Sequence, residues 1–276
     1  MYIKWDNEMV TSEEVGNKAA NLFELKRINI SVPVGFVVTK KAFVDFVATH
    51  QLYDLGQNIG HLLVGLEMPD KMSGEINEAC QLLSSRVKKE SLFAVRSSSS
   101  REDLPHTSFA GMYETFLNVE ESGVLKSIKG CWQSAFNPHL LSYLQTLGKG
   151  YQNIQDMAMG VIVQEMINSR FAGVLMTIDP ISGDPSKILI EYAKEQLVTS
   201  GEGTPNRLMV DKITNQIDKI NGEILEERYV YQLTHLAKTI EQHFGSYQDI
   251  EWAIEQENGE LIILQTRPES VWNRRN

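Results

Sequence analysis

DIEWAIEQENGELIILQTRP, residues 249–268, alternates polar and apolar residues on either side of Asn258-Gly259. Period-two alternation marks a strand with one buried face, and Asn-Gly between two such runs predicts a hairpin. Turn length decides which side chains share a face, because a one-residue slip inverts every position. A two-residue Asn258-Gly259 turn would set Glu251 opposite Thr266. A three-residue loop, Glu257-Asn258-Gly259, with Gly259 left-handed, sets Glu251 opposite Gln265 and Asp249 opposite Arg267. This second register sorts polarity well. Asp249, Glu251, Gln265 and Arg267 share one face, and Ile250, Trp252, Ile254, Ile262, Leu264 and Thr266 share the other. Carboxylate and carboxamide oxygens are hard ligands suited to Mg2+, and a guanidinium pairs with phosphate in bidentate fashion. The polar face thus has the chemistry of a magnesium–nucleotide site. A salt-bridged solvent face is the competing reading, and the hairpin taken alone favours it.

Outward from the hairpin, strand-like and helix-like segments alternate, which predicts an α+β or α/β chain. Strands are expected at Gly35–Thr39, Phe93–Arg96, Tyr113–Val119, Gly160–Met166, Ala172–Ile178, Ile188–Tyr192 and Arg207–Asp211. Helices are expected from Thr39 to about Thr49, over 72–88, over 122–147 with a break near Asn137-Pro138, and over 226–244. Phe43, Phe46, Trp132 and Phe136 recur at helical spacing and read as core. A lobe boundary is expected near 166–171, dividing residues 1–166 from 167–276.

The formal net charge of −10 makes nucleic acid and anionic membranes unfavoured partners. No apolar run reaches the length of a membrane span, and MYIKWDNEMV lacks a signal-peptide core, so a cytoplasmic protein is expected. Cys80 and Cys131 form no CxxC pair and read as buried free thiols. His50, His61, His106, His139, His235 and His243 show no triad and no metal spacing. Arg96 enters Ser97-Ser98-Ser99-Ser100, a polar loop whose hydroxyls and backbone N–H groups could wrap phosphates, with Gly111 allowing close backbone approach. Lys18 follows Asn17, a reasonable N-cap, and so sits where a helix end favours anions. A solvated loop and a surface lysine are the blander readings. There is no Walker A motif and no GxGxxG.

GNKAANLFEL (16–25), VPVGFVVT (32–39), FAVRSSSSREDLPHTSFAGMYETFLNV (93–119), GVIVQEMINSRFAGVLMTIDPISGD (160–184), DIEW (249–252) and LQTRP (264–268) together resemble the nucleotide-binding domain of the phosphoenolpyruvate synthase and pyruvate phosphate dikinase family. Order and spacing agree over nearly the whole chain. Rifampicin phosphotransferase and a subunit of phenylphosphate synthase carry similar domains. The resemblance implies an ATP-grasp-like, two-lobed α+β fold with ATP and Mg2+ in the interlobe cleft. It implies that Lys18, Arg96 and Arg267 contact phosphates and carry the chemistry, and that Gly111 and Thr115 line the phosphate loop. Glu165, Met166 and Ile167 would form the adenine-side hinge. Asp249 would lie beside the nucleotide, and Glu251 and Gln265 would hold the metal. Against the family pattern, Asn17 stands for a glycine, Met112 for a glutamine, Ala193-Lys194-Glu195 for a Gly-Leu-Gly-Glu block, and His139-Leu140 and Leu144 for an arginine pair.

Relatives continue into a swivelling domain whose Thr-Ser-His histidine accepts the phosphoryl group, and no histidine here sits in such a motif. The expected function is an ATP-binding subunit that phosphorylates a histidine on a separate swivelling-domain partner. A self-contained small-molecule kinase or ligase and a nucleotide-binding regulatory module without chemistry are the alternatives.

Overall fold

The computed structural model describes residues 1–53, 59–87, 92–101, 112–146, 150, 153–194, 205–222 and 225–273. The chain forms two compact units, one of residues 1–23 and 34–166, the other of residues 24–33 and 167–276. The segment 24–33, placed in the first lobe from sequence, therefore belongs to the second unit. Local bonds explain why. The Ile263 N–H donates to the Ser31 carbonyl and the Ser31 hydroxyl to Glu260, while His243 Nε2 lies 2.8 Å from Glu24 Oε1.

In the first unit, the described strands β1 (Ile3–Trp5), β2 (Gly35–Val38), β3 (Phe93–Ser98), β4 (Thr115–Val119) and β5 (Gly160–Glu165) form one antiparallel sheet, ordered β1-β2-β5-β3-β4. One face carries Phe36, Val38, Phe93, Val95, Val161 and Val163 into the core. Helices α3 (Lys40–Thr49), α5 (Asp70–Arg86), α6 (Val124–Ser134) and α7 (Pro138–Thr146) supply the rest of that core; α4 (Gly60–Leu63) adds a short turn. The expected aromatic cluster is there: Phe43 and Phe46 meet Trp132 with ring centroids 5.7 and 5.3 Å apart. Cys80 and Cys131 are buried free thiols, and burial pushes the Cys80 thiol up to about 12.

Helix α2 (Asn17–Arg27) begins where the sequence placed a helix end, and α1 (Ser12–Val15), just before it, was not expected. Their junction interlocks with the sheet. Gly16 has φ +83, and a Cβ there would lie 1.9 Å from the Ser98 carbonyl oxygen. A Cβ on Gly160 would lie 2.2 Å from the Val15 carbonyl oxygen. Only glycine at both positions permits this approach.

In the second unit, β6 (Ser169–Met176), β7 (Lys187–Lys194), β8 (Asn206–Asp211), β9 (Ile217–Asn221), β10 (Gln248–Glu255) and β11 (Leu261–Pro268) form a sheet ordered β11-β10-β6-β7-β8-β9, again antiparallel throughout. Helix α8 (Glu227–Phe244) packs on β10 and buries Val230, Leu233, Ala237 and Ile240. Trp252, fully buried, lies over Gly173, where a Cβ would meet the indole at 2.9 Å. The chain is α+β, with two antiparallel sheets in two units, the architecture that the ATP-grasp resemblance implied.

Gly160→Ala is expected to cost roughly 1–3 kcal/mol, because Val15 backbone must shift. Gly74 lies within α5 with nothing within 4 Å of an added Cβ. Gly74→Ala should therefore stabilise by about 0.5–1 kcal/mol. Urea midpoints at unchanged m-value provide the measurement.

Candidate functional site

The hairpin pairs Asp249 with Arg267, Ile250 with Thr266 and Glu251 with Gln265. These are the expected partners, reached by a different route. The loop spans residues 256–259 and is closed by Glu255 N–H to Glu260 carbonyl (2.8 Å) and Gly259 N–H to Glu255 carbonyl (3.1 Å). Gly259 is left-handed, φ +69, as the turn requires. The three-residue loop is thus corrected to one residue longer, which by itself would invert the register. A β-bulge between Glu251 and Trp252 absorbs the difference at Leu264.

The bulge also redistributes apolar side chains. Ile263, not Ile262 or Leu264, pairs with Trp252 on the core side. Ile262 pairs with Ala253 and forms a separate cluster with Ile167 and Ala172, against which Leu264 packs. Two residues along from Glu251, Ala253 shares its face. That face therefore has a charged end, Asp249–Arg267 and Glu251–Gln265, and an apolar end around Ala253. Asp249 and Ala253 are separated by about 13 Å of strand at ~3.3 Å per residue. Cross-strand register adds Val174, Glu191 and Arg207 to the row of Glu251. Arg207 Nε lies 2.6 Å from Glu191 Oε1. Sequence reading missed this pair, because the pairing of β7 with β8 cannot be read from local alternation.

Arg267 Nε and Nη2 both donate to Asp249 Oδ2, at 2.9 and 2.6 Å. The Asp249 side chain is 14% exposed. Burial raises its pKa above the usual carboxylate range despite Arg267, and Glu251 and the buried Glu269 add to the rise. Gln265 is itself buried and Glu251 half-buried. Among the described residues no group of three or more His, Cys, Asp or Glu side chains could hold a metal alone. Mg2+, however, commonly takes one or two carboxylates together with phosphate and water oxygens. Glu251 and the Gln265 amide, in a surplus of carboxylates over one guanidinium, fit that donor set.

In the first unit, Arg96 lies on β3 between Thr115 of β4 and Ile162 of β5, half-buried. Lys18 is in the first turn of α2, half-buried. The Lys18 ammonium pulls the Cys131 thiol downward, against a larger upward push from burial. Asn17 is the first helical residue rather than the N-cap; Gly16 takes that place, its carbonyl accepting from Ala20 N–H. The serine loop is also corrected. Ser97, Ser98 and Ser99 are buried, and their groups are drawn inward. Ala19 N–H donates to Ser98 Oγ (3.0 Å) and Asn17 N–H to Ser99 O (3.2 Å). Two N–H groups of the first turn of α2 are thereby occupied. Glu165 Oε1 accepts from Val34 N–H (2.8 Å); Met166 N–H donates to Leu92 O, and Ile167 joins the apolar cluster of the second unit. Gly111 and His106 fall outside the described residues.

A family model described as pyruvate phosphate dikinase, AMP/ATP-binding domain, matches residues 12–223 and 217–276. The chain belongs to that family. Among curated relatives of this dikinase-type domain, a probable phosphoenolpyruvate synthase from Archaeoglobus fulgidus is 34% identical over 92% of the chain and 39% of its own length. The phosphoenolpyruvate synthase of Aeropyrum pernix is 32% identical over 95% of the chain and 41% of its own length. The chain thus spans about two fifths of the length of these relatives. Among solved structures, D-alanyl-alanine synthetase A from Vibrio cholerae aligns with TM-score 0.46 and 11% identity, covering 91% of this chain and 54% of the other. Among the described residues of the dikinase-type domain, no helix is long and apolar enough to cross a membrane.

Arg267→Met leaves Asp249 buried without its cation. The expected loss is roughly 2–3 kcal/mol near neutral pH, discounted for the partial exposure of Arg267. The sign with pH follows from the raised pKa. Ionised Asp249 is disfavoured in the fold, so the stability tied to this group is present below the ordinary carboxylate pKa and is lost as pH rises through the raised folded value. The Arg267→Met defect should therefore shrink when unfolding is measured in mildly acidic buffer, where Asp249 protonates.

Proposed function

We propose that this chain binds Mg–ATP and donates a phosphoryl group to a histidine on a separate swivelling-domain partner. The observation that carries the reading is the β10–β11 face, where Glu251 and Gln265 sit between the Asp249–Arg267 pair and an apolar cluster. A nucleotide has the same polarity: an apolar base at one end and an anionic, metal-bound polyphosphate at the other. Membership of the dikinase AMP/ATP-binding family supports the nucleotide.

In this reading Glu251 and Gln265 would hold a magnesium ion, which would supply charge neutralisation at the phosphoryl group. Arg267, Arg96 and Lys18 contact phosphate oxygens, with Thr115 beside Arg96 on the neighbouring strand. Glu165, Met166 and Ile167 form the adenine-side hinge. Asp249 holds the Arg267 guanidinium in one orientation through its two bonds to Oδ2. The chain forms no covalent intermediate of its own. A P–O bond of ATP breaks, a P–N bond to the acceptor imidazole forms, and the protein aligns the two and spreads the charge.

A module that binds nucleotide without transferring phosphate is the second reading. It is favoured by the serine turn, where the Ser98 hydroxyl and the Ser99 carbonyl are taken up by α2.

Saturating Mg–ATP is expected to raise the melting temperature, since only the folded state presents the site. Glu251→Gln should leave the melting temperature of the unliganded protein nearly unchanged while weakening the magnesium-dependent part of the shift. Incubation with γ- or β-labelled ATP and a histidine-bearing swivelling domain should give acid-labile label on the partner. Stable label on this chain with no second protein would instead support a self-contained kinase, and binding without any transfer would support the second reading.

A further inference from the structure

The serine turn at the end of β3 is held from several sides, and two of the holding side chains have no role so far. Asn17 makes two bonds to it. Its N–H donates to the Ser99 carbonyl (3.2 Å) and its Nδ2 to the Ser100 carbonyl (3.3 Å). Lys40, the first residue of α3, donates from Nζ to the Ser100 hydroxyl at 2.8 Å. Ser100 is thus gripped by its carbonyl from one helix and by its hydroxyl from another. The Lys40 side chain is 15% exposed, and burial lowers its pKa. Its nearest carboxylate, Glu13 Oε2, is 4.0 Å away on a side chain that is 89% exposed, a weak counterweight for a half-buried ammonium. A half-buried cation spent on a neutral hydroxyl is a costly way to tether an ordinary loop.

The grip ties together the two segments that carry the cations proposed to meet phosphate in this unit. Lys18 is adjacent to Asn17 in the first turn of α2, and Arg96 precedes Ser100 on the strand that enters the turn. A shift of Ser100 moves the end of β3 relative to α2, and so changes the spacing of Lys18 and Arg96. The geometry points to Asn17 and Lys40 as positioning residues that clamp Ser100 and fix the separation of Lys18 and Arg96 for a phosphate chain. This inference rests on the Mg–ATP reading above and assigns residues that reading does not use.

The test compares ATP with adenosine as probes, by calorimetry on the full chain. The wild-type protein must first bind Mg–ATP; no binding would overturn the nucleotide reading and the clamp with it. Given binding, Lys40→Met and Asn17→Gly should each weaken Mg–ATP by about fivefold, the worth of one hydrogen bond, and leave adenosine unchanged. Lys40→Arg, which keeps a donor and the charge, should recover most of the loss. Ser100→Ala is the milder variant should either of the others fold poorly. The double variant Lys40→Met/Ser100→Ala should bind no more weakly than the worse single variant, since both remove one bond. Unchanged ATP affinity in the variants, equal losses for ATP and adenosine, or additive losses in the double variant would each overturn the clamp.

Discussion

Strand alternation is the constraint on which the second unit depends. On β10 every second side chain must enter the core beneath α8, and the residues between them form the polar face of the candidate site. Trp252 fixes the phase: a fully buried indole seated over Gly173 admits no slip. The loop at residues 256–259 is one residue too long for β11 to answer in phase along its whole length. The bulge at Leu264 reconciles the two demands, letting Ile263 meet Trp252 near the turn and Gln265 meet Glu251 beyond it. The cross-strand pairs of the candidate site are thus a by-product of packing Trp252.

That compromise explains what was legible in the sequence. Polarity sorting identified Asp249, Glu251, Gln265 and Arg267 as neighbours because a wrong register would have buried charge. It could not tell an odd loop from an even loop with a bulge, since both restore the same pairs. The difference shows only near the turn, where Ile262 and Leu264 were assigned to the wrong face. Both are apolar, so alternation held no signal there. Most longer elements were visible for the same reason. Short ones such as β1, α1 and α4 were not, because three or four residues carry too little periodicity.

The first unit was less legible. Four consecutive serines look like solvent-exposed loop, yet three are buried. The reason is non-local: Ser98 Oγ and the Ser99 carbonyl accept from N–H groups of α2, far away in sequence, and Gly16 and Gly160 remove the side chains that would keep the elements apart. Composition suggested phosphate binding by exposed hydroxyls. The arrangement instead turns Ser98 and Ser99 inward as acceptors for the first turn of α2.

The segment 24–33 carries a kinetic consequence. Ser31 bonds to Glu260 across 229 residues of sequence. On a ribosome adding about 5–20 residues per second, Ser31 would wait roughly 10–45 s after its own synthesis for that partner to appear. The first unit can close long before then, around a chain whose residues 24–33 are still waiting. The second unit is therefore discontinuous in time as well as in sequence. A fragment cut at residue 167 would lack one of its own pieces, and in the intact chain this segment can dock only after the last hairpin has been made.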